Sequence, residues 1–187
     1  VKQPIGILGG TFDPAHNAHL AIASAALRAL HLEKILWLPT GVPPYRPAPV
    51  AAAVHRVAML KLAIANEPRY AVDERELQPG ASGFTFDSLS SLHENFPDKS
   101  LILLMGADQY AKRDTWHRWG DLEKLCEVAV FARPGWNPDA KAKIIPMTPL
   151  PVSASDIRAR MARGEDVSTM LPAPVLGYIR KHKLYRA

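Results

Sequence analysis

The sequence has one cysteine, no long apolar run and no dense basic stretch, and each shortage excludes a class of protein. Cys126 cannot form an internal disulfide and is expected to be a buried structural thiol. No apolar run approaches the ~18 residues of a membrane-spanning helix, and no secretory pattern opens the chain. We therefore expect a cytoplasmic protein without a membrane partner. The net charge of +5 suits anionic partners. The basic residues are scattered and do not form the dense run typical of nucleic-acid binding, and small phosphorylated substrates explain the same charge, so the charge alone does not choose between these partners.

The order of apolar segments along the 187 residues predicts an α/β fold in a single domain. Short apolar runs alternate with segments of helical spacing, which indicates a doubly wound, mostly parallel sheet covered by helices on both faces. A small helical C-terminal portion, residues 153–187, follows. The predicted strands are Ile5–Leu8, Lys34–Leu38, Tyr70–Val72, Ser100–Met105 and Glu127–Ala132. The predicted helices are His19–Leu30, Val54–Ala65, Thr85–Phe96, Trp116–Leu125, one from Ser153 or Ser155 to Arg163, and one from near Pro172 to His182.

The densest chemical pattern follows the first predicted strand. Gly9 and Gly10 let backbone amides approach a ligand because no Cβ stands in the way. The helical spacing after Ala18 places His16 and His19 in the first turn of a helix, whose N-terminus favours anions. Three positions apart, the two imidazoles share one face and can hold one polyphosphate between them. From the residues alone, the pair could equally be two metal ligands or a polar first turn.

A second phosphate-binding pattern lies near the end of the chain, at Ser153, Ser155 and Arg158. Serines before an apolar-periodic helix are ordinary N-caps. Hydroxyls at a helix N-terminus, with an arginine one turn further on, also form a clamp for a polyphosphate. The predicted motifs begin where strands end, so they can converge at the carboxyl edge of a parallel sheet.

The string Gly-Gly-Thr-Phe-Asp-Pro-x-His-x-x-His, from Gly9 to His19, resembles the nucleotidyltransferase superfamily that carries a His-x-Gly-His motif. That superfamily has an Ile-Ser-Ser-Thr-x-Ile-Arg string, which Ser153, Ser155 and Arg158 match in position. Over essentially the whole chain, the ordered motifs are similar to those of bacterial nicotinate-nucleotide adenylyltransferases. The motifs between the two phosphate patterns and after them are Val42–Arg46, Asp73–Leu77, Phe84–Leu89, Gly106–Asp108, Thr115–Trp116, Arg133–Gly135 and Leu171–Tyr185.

The resemblance implies a Rossmann-like nucleotidyltransferase fold and a reaction in NAD biosynthesis. The adenylyl group of ATP would pass to nicotinate mononucleotide, giving deamido-NAD and pyrophosphate, with Mg²⁺ accompanying the ATP. His19 would contact the α- and β-phosphates as the main catalytic residue, assisted by His16, and Arg158 would hold the outer phosphates. The resemblance implies ATP-binding roles for Gly9, Gly10, Thr11, Phe12, His16, His19, Gly106, Asp108, Arg133, Ser153, Ser155 and Arg158.

For the acceptor, the resemblance implies three residues. Trp116 would stack on the pyridine ring, backbone amides near Thr85 and Trp116 would bind the nicotinate carboxylate, and Arg46 would bind the phosphate. Without the resemblance, Trp116 is more readily a core side chain and Thr85 a helix cap.

Four positions depart from the family pattern and bear on rate and ATP affinity. Ala18 stands where the family has glycine and its methyl group would crowd the nucleotide, Ala15 replaces a proline, Tyr45 replaces a histidine, and Ala154 removes a hydroxyl. Three alternatives stay open: nicotinamide mononucleotide as the acceptor, phosphopantetheine as the acceptor, and a nucleotide-binding module without catalysis. A monomer and a homo-oligomer also stay open.

Overall fold

The computed structural model describes residues 3–42, 47–131 and 143–186, which include a parallel β-sheet. Its strands are β1 (Ile5–Gly10), β2 (Lys34–Pro39), β3 (Tyr70–Val72), β4 (Leu101–Gly106), β5 (Glu127–Phe131) and β6 (Lys143–Ile145). They lie in the order β3-β2-β1-β4-β5-β6, and every neighbouring pair is parallel. The strand order reverses between β1 and β4, so a crevice opens at the carboxyl ends of these two strands. The predicted doubly wound α/β fold is confirmed.

Helices cover both faces of the sheet because side chains alternate along each strand. Trp37 of β2 packs in an apolar cluster with residues of the helices Asn17–Ala29 and Ala53–Ile64. Leu36 and Leu38 pack in a second cluster with residues of the helices Thr85–Asn95 and Trp119–Leu125. Among the residues so described, no helix is long and apolar enough to span a membrane. The helices are α1 (Asn17–Ala29), α2 (Ala53–Ile64), α3 (Thr85–Asn95), α4 (Ala107–Tyr110), α5 (Trp119–Leu125), α6 (Ala154–Ala162) and α7 (Ala173–His182).

The helical C-terminal portion packs on α2 through a third apolar cluster. Met59 of α2 is fully buried there against Ile157 of α6 and Ile179 of α7. Pro172 precedes α7, a position where the fixed φ of proline suits a helix start. Because α6 and α7 share this core with α2, the cluster fixes the end of α6 that carries the second phosphate pattern.

Two parts of the sequence prediction were wrong. The helix predicted from Trp116 begins at Trp119, since Arg118 has a left-handed backbone with φ 55° and interrupts the helical turn. Trp116 itself is extended and follows a short 3₁₀ turn, Arg113–Thr115. Strand β6 is absent from the predicted strands because its three residues carry too little periodicity to be recognised.

Candidate active site

The glycine-rich segment joins the end of β1 to the start of α1. Helix α1 begins at Asn17 with His16 as its N-cap, which confirms that both histidines lie at a helix start. The side chain of His16 is buried, and that of His19 is partly exposed. Their rings stack with centroids 3.8 Å apart, so no phosphate group fits between them. The expectation that the two imidazoles hold a polyphosphate between them is therefore corrected, because the stacked rings form one joint surface.

A backbone hydrogen bond fixes the tautomer of His19. The backbone N–H of His16 donates to Nδ1 of His19 over 3.2 Å. Since Nδ1 is an acceptor here, the proton of the neutral imidazole is on Nε2, which is therefore a hydrogen-bond donor. The ring edge also meets Phe12, with centroids 5.0 Å apart, so the imidazole has a fixed orientation.

Burial keeps both imidazoles neutral at neutral pH. Loss of solvation lowers the pKa of His16 from 6.5 to about 4. Burial, and secondarily the neighbouring His16, lower the pKa of His19 well below its ordinary value. The helix start thus presents neutral donors and backbone N–H groups, and the anion-binding field comes from the helix terminus rather than from an imidazolium.

Asp13 is the buried centre of the segment, and the sequence reasoning gave it no role. Only 3% of its surface is exposed. Its Oδ2 accepts from the backbone N–H of Val50 (2.7 Å), and its Oδ1 accepts from the backbone N–H of Ala51 (3.1 Å) and from the hydroxyl of Tyr185 (2.6 Å). Three parts of the chain therefore meet at one carboxylate.

Arg56 is a second buried polar residue that the sequence reasoning missed. It lies on α2 with 2% of its surface exposed. Its guanidinium donates to the backbone carbonyls of Thr11 (2.7 Å), Thr40 (2.8 Å) and Ala51 (3.2 Å). These bonds tie the segments that follow β1 and β2 together. The apolar spacing of Val54–Ala65 predicts that Arg56 lies on a helix, but it does not indicate that the side chain of Arg56 points toward the protein interior.

The second phosphate pattern reaches the first through Arg158. Ser153 is the N-cap of α6: its Oγ accepts from the backbone N–H of Asp156 over 3.2 Å and lies 3.2 Å from Oγ of Ser155. Arg158 Nη1 donates to the backbone carbonyl of Asp13 over 2.7 Å and lies 4.0 Å from its Oδ2. The convergence expected from the order of the motifs is present, and Ser153 has a capping role as well.

A cavity of about 620 Å³ lies beyond the end of β4. This volume is in the range of small-molecule sites. The cavity brings together three residues expected at the site, Thr85, Asp108 and Trp116. It is lined by Phe84, Thr85, Asp108, Gln109, Lys112, Thr115, Trp116 and His117.

The walls of the cavity are aromatic and helical. The rings of Phe84 and His117 stack with centroids 4.4 Å apart, a pair that no sequence motif indicated. Trp116 is partly exposed, and its ring forms a T-shaped contact with the ring of Trp119, with centroids 5.9 Å apart. Thr85 is the first residue of α3 and Phe84 is its N-cap, so Thr85 is not the cap.

Open space lies beside Gly9 of β1 and Gly106 of β4, whereas the ring of Phe12 fills the space beside Gly10, the last residue of β1. A Cβ added to Gly9 or Gly106 would meet no heavy atom of the described residues within 4 Å, so a ligand can approach the backbone there.

Two expected site residues, Arg46 and Arg133, and the departure at Tyr45 lie outside the described residues. Over the described ranges, no group of three or more His, Cys, Asp or Glu side chains could hold a metal ion.

Comparison with known proteins agrees with this geometry. Residues 7–160 match the model of the family described as cytidylyltransferase-like. A protein of Laribacter hongkongensis named "Probable nicotinate-nucleotide adenylyltransferase" is 40% identical, with 100% of this chain and 96% of that protein covered. A protein of Aeromonas salmonicida with the same name is 37% identical, with 100% and 99% covered.

A solved structure shows the same fold at low sequence identity. The Plasmodium falciparum nicotinic acid mononucleotide adenylyltransferase complexed with NaAD superposes with a TM-score of 0.85 at 19% identity, over 98% of each chain. The fold, the converging motifs and the identity to the bacterial proteins agree. The chain belongs to the nicotinate-nucleotide adenylyltransferase family, among the cytidylyltransferase-like proteins.

Proposed function

We propose that the protein transfers the adenylyl group of ATP to nicotinate mononucleotide, forming deamido-NAD and pyrophosphate. The observation that carries the proposal is the 2.7 Å bond from Arg158 to the Asp13 carbonyl, which brings the second phosphate pattern to the segment that leads into the histidine pair. The cavity at the end of β4 opens on the same edge of the sheet, since β1 and β4 are parallel neighbours. Nucleotide and acceptor can therefore meet at the strand-order reversal.

The phosphates of ATP would lie on the N-terminus of α1. The Nε2–H of neutral His19 would donate to the α- and β-phosphates, and Arg158 and Ser155 would hold the outer phosphates. Phosphoryl-group chemistry of this kind asks for positioning and charge neutralisation, and it needs no protein nucleophile. Mg²⁺ would enter as part of the ATP substrate, bound to its phosphate oxygens.

The acceptor would occupy the cavity. A pyridine ring suits the partly exposed ring of Trp116 on the cavity wall, which the T-shaped contact with Trp119 helps to hold in place. The nicotinate carboxylate would meet the start of α3 at Thr85, where the positive end of the helix dipole favours an anion. Lys112 on the cavity wall adds a positive charge, which attracts a carboxylate more strongly than a neutral amide.

For the nucleotide, Asp108 would accept hydrogen bonds from the ribose hydroxyls of the adenosine.

The test is release of pyrophosphate with ATP and Mg²⁺, comparing nicotinate mononucleotide, nicotinamide mononucleotide and phosphopantetheine as acceptors. We expect a clear preference for the nicotinate form. Preference for either other acceptor would refute the assignment of Thr85 and Trp116. No release with any acceptor, together with measurable ATP binding, would make the protein a nucleotide-binding module. The cytoplasmic location, the single domain and the absence of nucleic-acid and membrane partners stay predictions from the sequence.

A further inference from the structure

We propose that Tyr185 is a positioning residue for ATP, acting through Asp13 on Arg158. This inference rests on the proposed function, which assigns Arg158 to the outer phosphates. The hydroxyl of Tyr185 donates to Oδ1 of Asp13 over 2.6 Å, although the two residues are 172 positions apart. Arg158 contacts the same residue at its carbonyl, so Asp13 links Tyr185 to the phosphate site.

Tyr185 is held so that its hydroxyl points at the carboxylate. The residue follows α7 with a left-handed backbone, φ 60°, and has 9% of its surface exposed. Its ring packs in the apolar cluster with Ala51 and Ile179. Burial and the Asp13 carboxylate raise the pKa of the Tyr185 hydroxyl far above its ordinary value, so the hydroxyl stays a donor at every physiological pH.

The charge balance around Asp13 explains why the loss of one hydroxyl would weaken the binding of ATP. The buried carboxylate accepts from two backbone N–H groups and from Tyr185, and the buried Arg56 guanidinium nearby adds a positive charge. Without the hydroxyl, Oδ1 keeps, among the described residues, only the 3.1 Å bond from the backbone N–H of Ala51. Arg158 Nη1 lies 4.0 Å from Oδ2 and would move toward the under-compensated charge. An arginine paired with Asp13 is a weaker partner for a triphosphate. The affinity for ATP is therefore expected to fall, and the affinity for the acceptor is expected to stay the same.

The experiment compares Tyr185→Phe with Tyr178→Phe in the full chain. Each substitution removes one hydroxyl, but the Tyr178 hydroxyl bonds Nδ1 of His55 at 2.9 Å, away from Asp13. The probe is an ATP analogue with a methylene group between the α- and β-phosphates. The analogue is titrated into each variant in the presence of Mg²⁺, and calorimetry gives its dissociation constant. We expect Tyr185→Phe to bind the analogue about tenfold more weakly, which corresponds to ~1.4 kcal/mol. The Tyr178→Phe variant is expected to bind it like the wild type, and both variants are expected to keep the wild-type KM for nicotinate mononucleotide.

A double-mutant cycle tests the route through Arg158. In an Arg158→Ala background, Tyr185→Phe is expected to change analogue affinity less than about twofold, because the residue it acts through is gone. The same tenfold loss in that background, equal losses in both tyrosine variants, or no loss in Tyr185→Phe would each overturn the inference. Failure of the proposed function has a different signature. Wild-type protein that binds the analogue but transfers no adenylyl group from ATP to nicotinate mononucleotide would refute the acceptor, and the binding comparison would still decide the role of Tyr185.

Discussion

Acidification of the ligand-free protein tests the state of the stacked histidines. The pKa of His16 falls from 6.5 to about 4 on folding because the side chain loses its solvation. A depressed histidine pKa means that the folded state binds fewer protons than the unfolded state, so stability is full above pH 6.5 and is lost as the pH falls toward 4. The loss from His16 amounts to about 2 kcal/mol at pH 5 and about 3 kcal/mol in full.

The assay is urea unfolding at pH 7.5 and pH 5.0 for the wild type and for His16→Asn. Asparagine cannot take up a proton, and Nδ1 of His16 has no hydrogen-bond partner among the described residues that the substitution would remove. We expect the variant to lose about 2 kcal/mol less than the wild type between the two pH values. His31→Asn is the matched control, since His31 is exposed and its left-handed backbone, φ 50°, is one that asparagine tolerates.

Equal losses in the wild type and in His16→Asn would refute the reasoning, because they would mean that His16 has the same pKa in both states. A smaller loss in His31→Asn would also contradict it, since that result would place the acid sensitivity elsewhere. The lowered pKa of His19 acts in the same direction, so the wild-type loss exceeds the contribution of His16 alone.

Three further predictions concern catalysis, the acceptor and stability. His19→Ala is expected to lower kcat about a hundredfold or more in a protein that still folds, with a lower melting temperature because the His16 N–H loses its acceptor; near-normal turnover would remove His19 from the mechanism. Trp116→Ala is expected to raise the KM for nicotinate mononucleotide and to leave binding of the ATP analogue unchanged; an unchanged KM would make Trp116 a structural residue only. Arg56→Met leaves three backbone carbonyls without their donor and is expected to cost about 3 kcal/mol in urea unfolding, against less than about 0.5 kcal/mol for the exposed Arg28→Met.

The sheet was predictable because each central strand is a continuous apolar run that ends at a glycine or a proline. Leu101–Gly106 has this form throughout and Lys34–Pro39 has it after Lys34, and such runs are typical of parallel strands buried on both faces. The start of α5 was not predictable, since the apolar spacing runs through Trp116 while the backbone turns left-handed at Arg118. A single left-handed residue that is not glycine leaves little trace in hydrophobic periodicity.

The histidine pair and Arg158 were predictable because their spacing relative to a helix start is local. The residues that hold them in place were not. Asp13, Arg56 and Tyr185 form bonds between segments that are distant in sequence, and the Tyr185–Asp13 bond spans 172 positions. Each residue alone has an ordinary alternative explanation in a turn, on a helix surface or at a chain end. Only the fold shows that they share one buried charge.

The position of Ala18 favours an active enzyme over a silent module. Ala18 is the second residue of α1, and the helix still begins at Asn17 with His16 as its N-cap, so the substitution leaves the start of the helix in place. Alanine has the highest helix propensity, so it stabilises this first turn more than glycine does. Residues two positions apart on a helix do not share a face, so the methyl group points away from the side of His16. The joint histidine surface, its backbone donor and the link to Arg158 are therefore all present despite the departure. Since adenylyl transfer depends on where these groups are placed and on how little they move, the described geometry is that of a site able to turn over.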